Sequence, residues 1–492
     1  MNPLKQLLSQ TAVYGLSSIV GRILGYLLVP LYTRVLVEAV YGEVVELYSY
    51  IAVLLIILTY GMETAFLRFA KSKQDAKKVF GTAFTSIFTT SIFFIILLFF
   101  YKNGIADLIQ YSAKPEYIVN VGFILFFDAI NTIPYANLRL QDRAQRFVAI
   151  RLTGIFANIG LNLFFILFIP FLLKNYSDLA IVQWISSYYD ADNKVDYIFI
   201  SNVVSSGLQT LMFLPEWLKI KITFDFKLWK KMMAYALPLL IFGLAGAVNE
   251  VIDRVLLKYL LPENIAMAQV GIYGAVYKVS IIMTIIIQAY RYAAEPFFFA
   301  QEKHKEAKIM YANMMKYFVM VTSVVFLATM LYMDIVIYFV GENFRSGAPV
   351  IPILLMANLF LGIYYNLSVW YKLTDKTKYG AYISIFGAII TLSLNFYWIP
   401  RIGYTGSAWA TFICYGSMVI ISYLFGRKYY PIPYDLKRIL SYLAVAVILY
   451  FATTQFEIES LAITLVVNTI IIIGYVAALF FAEKNNLRPS KR

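Results

Sequence analysis

YGLSSIVGRILGYLL, residues 14–28, aligns with FGLAGAVNEVIDRVL, residues 242–256, at an offset of 228. Gly15 falls on Gly243, Ser18 on Gly246, Arg22 on Glu250 and Gly25 on Asp253. Steps of three and four place each set on one face of a helix. Both helices therefore present a strip of small residues interrupted by charge, in surroundings that are otherwise apolar. A charge at the centre of a membrane helix costs roughly 2.5–3.5 kcal/mol on insertion scales. Glu250, Asp253 and Arg254 on one helix therefore call for a partner, water or an anionic ligand.

The match continues downstream. YGEVVELYSY from Tyr41 aligns with VGIYGAVYKV from Val270, placing Lys278 opposite Ser49. LNLFFILFIP, ending at Pro170, aligns with LNFYWIP, ending at Pro400, with Asn162 on Asn395. Two halves of six helices share one plan. An even number of spans gives both halves the same orientation, related by an axis along the membrane normal, an arrangement that puts a substrate path between halves near the midplane.

Of the 492 residues, 61% are hydrophobic and 14% charged, too apolar for a soluble chain of this length. The apolar residues come in blocks of about 20, enough helix to cross about 30 Å of hydrocarbon. A β-barrel would instead show alternation. Fourteen blocks are read, at about 8–33, 44–67, 79–100, 117–138, 147–171, 196–217, 232–257, 269–292, 311–333, 349–371, 379–399, 405–425, 439–455 and 461–482. The expected fold is an all-α polytopic membrane protein of fourteen transmembrane helices. It comprises a lobe over 1–217, a pseudo-symmetric second lobe over 218–426, and two extra helices with a cytoplasmic tail over 427–492.

Net charge is +14, which raises nucleic acid as a partner, but the placement of the basic residues answers it. With the N-terminus inside, 27 of the 42 Lys and Arg fall in inner loops and only 8 in outer segments, Lys258 among the latter. This is the positive-inside pattern, with both termini cytoplasmic and no polyanionic partner required. The first block is too long for a cleavable signal and carries Arg22 at its centre, so it is expected to stay as a helix.

Several chemistries are excluded or set aside. A single histidine, His304, cannot build a His-based metal cluster, and the lone Cys414 lies in an apolar block. No G-x-x-x-x-G-K-[ST] occurs, so ATP is not expected as a partner. Uphill movement would draw on an ion gradient (H+ or Na+), the membrane potential or another protein. Asp190-x-Asp192 in the longest outer loop lacks an accompanying nucleotide-binding unit and reads as solvated acid. The candidate substrate or coupling residues are Arg22, Asp128, Arg151, Glu250, Asp253, Arg254, Lys278 and Arg291. Glu250 and Arg254, four apart, also have a plainer reading as mutual neutralisation on a packed face. Arg68, Arg151, Arg291, Glu295 and Lys316 lie nearer the inner face, where snorkelling competes with function.

SSIVGRILGYLLVPLYTRVL from Ser17, followed by YGEV, resembles the opening of the oligosaccharide (Wzx-like) flippases, of the superfamily that includes lipid II flippases and multidrug exporters. NEVIDRVLLKYLL with VGIYGAVYKV resembles their seventh and eighth helices. FVGENFRSGAPVIPILLMANLFLGIYY and LNFYWIPRIGYTGSAWAT, the latter followed by YYPIPYDLKR, resemble later segments. The resemblance implies movement of a polyprenyl-pyrophosphate-linked oligosaccharide from the inner to the outer leaflet of the bacterial cytoplasmic membrane, for O-antigen, capsule or a similar glycan. It implies alternating access, a cationic cavity, membrane lipids and other polysaccharide-assembly proteins as partners, and no catalysis. By position Arg22 is the arginine of the R-x-x-G-[FY] segment. The chain departs from lipid II flippases after Gly25 and Tyr26, and from twelve-helix drug exporters in its last two blocks. A membrane glycan polymerase or ligase is the alternative of another class; it would need a sizeable outer loop and would leave the repeat unexplained. Arginine suits a pyrophosphate because its guanidinium forks two oxygens at once.

Overall fold

The structure, a computed structural model, describes residues 19–70, 73–217, 223–302, 304–456 and 460–484. Among these it contains helices and turns and no strand. Helix is the expected answer for apolar segments that must satisfy their own backbone polar groups. Leu28–Val35 (α1) ends the first block. Among the described residues twelve helices are long and apolar enough to cross a membrane, namely Glu38–Phe69 (α2), Ala76–Leu108 (α3), Glu116–Leu140 (α4), Ala144–Asn175 (α5), Lys194–Trp217 (α6), Phe226–Leu260 (α7), and six later ones.

The next block is two helices, Glu263–Val279 (α8) and Ile281–Phe299 (α9), that meet at a 47° bend and make a thirteenth span if taken together. The remaining six are Ala307–Leu331 (α10), Glu342–Leu373 (α11), Lys378–Ile402 (α12), Tyr404–Tyr429 (α13), Leu436–Thr453 (α14) and Leu461–Glu483 (α15). The count is thus twelve, or thirteen, where fourteen blocks were read. Residues 8–18 of the block over 8–33 lie outside the described residues, including Gly15 and Ser18 of the repeat. So do the inner-loop basic residues Lys5, Lys71, Lys219, Lys221, Lys303, Arg488, Lys491 and Arg492.

Packing divides the chain into two compact units, 1–271 and 272–492. In the first, α3 lies against α4, α6 against α4 and α5, and α7 along α2. The repeat divides the sequence at 217/218, whereas packing divides it after Gly271, because α7 finds its neighbours in α2 and α3. At 35 residues α7 is about 52 Å long, well beyond the hydrocarbon thickness. In the second unit, α12 and α11 flank α13, and α14 and α15 lie against α10.

Asn162 and Asn395, aligned by the repeat, are both fully buried. Asn162 Nδ2 donates to the Asn158 carbonyl at 2.8 Å and Asn395 Nδ2 to the Thr391 carbonyl at 2.7 Å. Each side-chain oxygen accepts from a hydroxyl, Tyr32 at 2.8 Å and Ser407 at 2.8 Å. The two halves have kept one solution for an amide in an apolar core.

A second aligned pair, Gly42 and Gly271, meets face to face. A Cβ on Gly42 would fall on the Met267 carbonyl, and one on Gly271 on the Glu38 carbonyl. Glu38 and Met267 are separated by the same 229 positions as Gly42 and Gly271. The contact is therefore reciprocal, backbone on backbone, and only glycine admits it at either position.

Lys316, for which snorkelling competed with function, does not snorkel. Its ammonium lies 2.5 Å from Glu483 Oε2, with the two side chains 5% and 1% exposed. Glu483 also accepts from Arg438 at 2.9 Å and from Tyr442 at 2.6 Å. The partner acid is far away in sequence, at the end of α15, so no local pattern announced it. This cluster ties α14 and α15 to α10.

Candidate functional site

Residues 19–26, the described helical part of the first block ahead of α1, carry Arg22 exposed. Arg22 hydrogen-bonds the Tyr26 hydroxyl, which also lies within the field of Glu250. Glu250 is likewise exposed. The positions that the repeat superposes thus converge on one tyrosine. The small residues beside them face open space: a Cβ on Gly25 or on Gly246 would meet nothing. On this strip glycine keeps room clear rather than letting backbones touch.

One turn back, Gly21 is closed in by Ile155, and Arg151 Nε would stand 3.8 Å from a Cβ placed there. Arg151, half-buried on α5, therefore lies against the same turn that carries Arg22. Arg151 also acts on Asp128. The Asp128 carboxylate accepts from Ser206 Oγ at 2.7 Å and lies within reach of Tyr48, whose hydroxyl accepts from Asn202 at 3.0 Å.

Asp253 and Arg254 are buried. Arg254 Nη1 is 3.0 Å from Asp253 Oδ1, and it also donates to the Glu250 main-chain carbonyl. Among the described residues the Glu250 carboxylate itself takes no ion pair. The i,i+4 relation between Glu250 and Arg254 is present, but it runs through backbone rather than carboxylate. Arg254 in turn acts on Tyr41, as does Tyr48. Asp128, Arg151, Asp253 and Arg254 are thereby strung along one polar seam of the first unit, with Tyr41 and Tyr48 between them.

The second unit holds Lys278, half-buried on α8. Arg291 stacks on the Tyr365 ring, 3.9 Å from its centroid, and lies 3.7 Å from Glu295. Glu295 takes Lys372 at 2.7 Å. This places Arg291 in a local ion cluster on α9 and α11.

Sequence reasoning missed Glu46 and the burial of Lys258. Lys258 was read as an outer-segment cation, yet it is 5% exposed and 3.0 Å from a fully buried Glu46. The last turn of α7 packs on α2 and takes it out of water. In the outer loop, Asp190 turns its carboxylate back to accept from the Asp192 amide at 3.0 Å, a local turn bond.

The comparisons with known proteins agree with the all-helical plan. Over 95% of its length the chain matches a structure of lipid II flippase MurJ in an inward closed conformation, with TM-score 0.68 and 14% identity, covering 98% of that chain. An inward-facing multidrug resistance MATE family transporter of the MOP superfamily matches with TM-score 0.60 and 15% identity, covering 88% of this chain and 95% of that one. A MOP superfamily transporter from Pyrococcus furiosus, described as having a binding pocket of reversed polarity, matches with TM-score 0.55 and 16% identity, covering 87% of this chain and 98% of that one. At these identities the likeness establishes a transporter-type fold. No curated protein matches the chain. The family model described as polysaccharide biosynthesis protein matches residues 7–302, more than half of the sequence, and the chain is accordingly a member of that family.

Proposed function

We propose that the chain is a flippase that carries a polyprenyl-pyrophosphate-linked oligosaccharide from the inner to the outer leaflet of the bacterial cytoplasmic membrane. The observation that carries this reading is that Arg151 packs at Gly21, next to the exposed Arg22, on the helical stretch over 19–26 where Gly25 faces open space, in a chain of the polysaccharide biosynthesis family. A pyrophosphate leaving water loses its hydration, and fixed guanidinium groups replace it with forked, charge-assisted hydrogen bonds. Glu250, Asp253, Arg254, Asp128, Lys278 and Arg291 are the further candidates for substrate contact or coupling. Tyr26, held between Arg22 and Glu250, offers a hydroxyl and a ring to sugar.

In this reading the block over 8–33 is the first of fourteen spans and the bent α8–α9 pair is the eighth, with both termini cytoplasmic. The two six-helix halves over 1–217 and 218–426 alternate access, driven by H+, Na+ or the membrane potential.

The test is reconstitution in liposomes with a fluorescent polyprenyl-pyrophosphate saccharide, followed by its exposure to an impermeant reagent. Transfer of the saccharide lipid that an R22A/R151A variant abolishes is the expected result. Transfer of lipid II alone, or of a cationic dye alone, would overturn this substrate assignment in favour of those cargoes.

A further inference from the structure

Glu46 and Lys258 have no place in the cationic strip, yet among the described residues no ion pair of the first unit is more completely buried. Their side chains are 0% and 5% exposed. Both carboxylate oxygens are served: Tyr50 donates to Oε1 at 2.6 Å, and Tyr111 and Lys258 donate to Oε2 at 2.7 and 3.0 Å. The ammonium also donates to the Ile109 carbonyl at 2.6 Å and lies 4.0 Å from the centre of the Tyr111 ring. The cluster binds together α2, the turn after α3 and the last turn of α7.

Its position is what gives it meaning. Glu46 lies one helical turn from Gly42, where α2 meets α8 backbone to backbone. Lys258 lies two residues before the end of the helix that leads into α8. A cavity of about 420 Å³, walled by Tyr111, Lys114, Lys258 and Glu263 among others, adjoins the pair. The basic-residue asymmetry assigns all of these to the outer side. The crossing itself carries no side chain to unthread, because both contact points are glycine.

An ion pair suits such a junction for a physical reason. The cost of stripping water from two charges nearly cancels their attraction when buried, so a satisfied buried pair is close to balance. If water enters, both charges regain hydration, and the open arrangement recovers what the closed one loses. A leucine–leucine contact would gain nothing from water and would simply resist opening. The pair is therefore suited to a two-state element.

We propose that Glu46 and Lys258 form the latch of an outer gate, holding α2 against the α7–α8 junction across the Gly42–Gly271 crossing, and part when the outer side opens. The inference rests on the transport reading above.

The test uses the full chain in cells, with a single cysteine at Leu47 in a C414A background. Leu47 is 1% exposed beside the latch. An impermeant maleimide added outside labels L47C slowly while the latch is intact. K258M is expected to raise the labelling rate roughly tenfold, the population change that about 1.4 kcal/mol of lost bias produces. E46Q, which keeps the size of the side chain, is expected to do the same if K258M fails to accumulate. In E46C/K258C, joining the two thiols with a short cleavable cross-linker is expected to stop glycan delivery, and cleavage to restore it. Unchanged labelling with a lowered melting temperature makes the pair merely structural and overturns the latch, as does normal delivery by the cross-linked protein. If labelling rises but the wild-type chain delivers no glycan, the latch stands and the substrate reading falls.

Discussion

Arg254 pairs with Asp253, the residue before it in the chain, and takes the main-chain carbonyl of Glu250 as a second acceptor. The two charged side chains are buried together, while the Glu250 carboxylate is left exposed near Tyr26. Three charges on one helix thus divide into a structural pair and an outlying acid. D253N takes the counter-charge from a buried guanidinium and is expected to destabilise the protein by about 3–5 kcal/mol. D253N combined with R254M should cost clearly less than the sum of the two single variants, with a coupling of about 0.5–3 kcal/mol in a double-mutant cycle of unfolding. Additive costs would show that the pair does not act as a unit.

Arg22 is exposed on a strip where Gly25 and Gly246 face open space. Truncating it removes little packing, so R22A should leave the melting temperature within a few degrees of wild type, roughly what a surface substitution does. Glycan delivery in cells should nonetheless be lost, and R22K should restore only part of it, because a point charge cannot fork two phosphate oxygens. Normal delivery by R22A would remove this residue from the site.

Gly42 and Gly271 each occupy the space that a carbonyl of the facing helix would share with a Cβ. Neither G42A nor G271A can be relieved by a side-chain rotation, since the obstacle is backbone. Each is expected to force α2 and α8 apart and to lower the melting temperature, at a cost of about 1–3 kcal/mol typical of overpacking. G25A, where a methyl meets nothing, serves as the control and should leave the melting temperature unchanged.

Glu483 gathers Lys316, Arg438 and Tyr442 at the end of α15. E483Q removes the charge but keeps the shape, leaving a buried Lys316 without its counter-ion. The expected cost is about 3–5 kcal/mol, read as a lowered melting temperature. Limited proteolysis should then cut faster in the segment over 430–435, which leads into α14. E483Q with unchanged protease sensitivity would mean that α14 and α15 are held to α10 by their apolar faces alone.

How much of this was legible beforehand follows from the range of the forces involved. Block length and hydropathy act locally, so composition alone determined an all-helical membrane chain, and helices now stand at each block from the second to the last. The repeat was legible for the same reason: Asn162 and Asn395 carry matching hydrogen bonds because like neighbours four residues away present like carbonyls. Arg22 and Glu250 were legible as charges beside small residues, since both features lie within one turn.

Pairing was a different matter. Glu46 with Lys258, and Lys316 with Glu483, join residues on separate helices, and a charge finds its counter-ion only after distant segments pack. Position near a block end made Lys258 look like a loop residue and Lys316 like a snorkelling one, because sequence reports the distance to the end of a helix and not what covers it. The backbone meeting of Gly42 and Gly271 was invisible for the same reason. Two glycines in aligned positions state that two halves are alike; only the tertiary fold decides that they touch, because contact depends on where helices cross and not on what each helix contains.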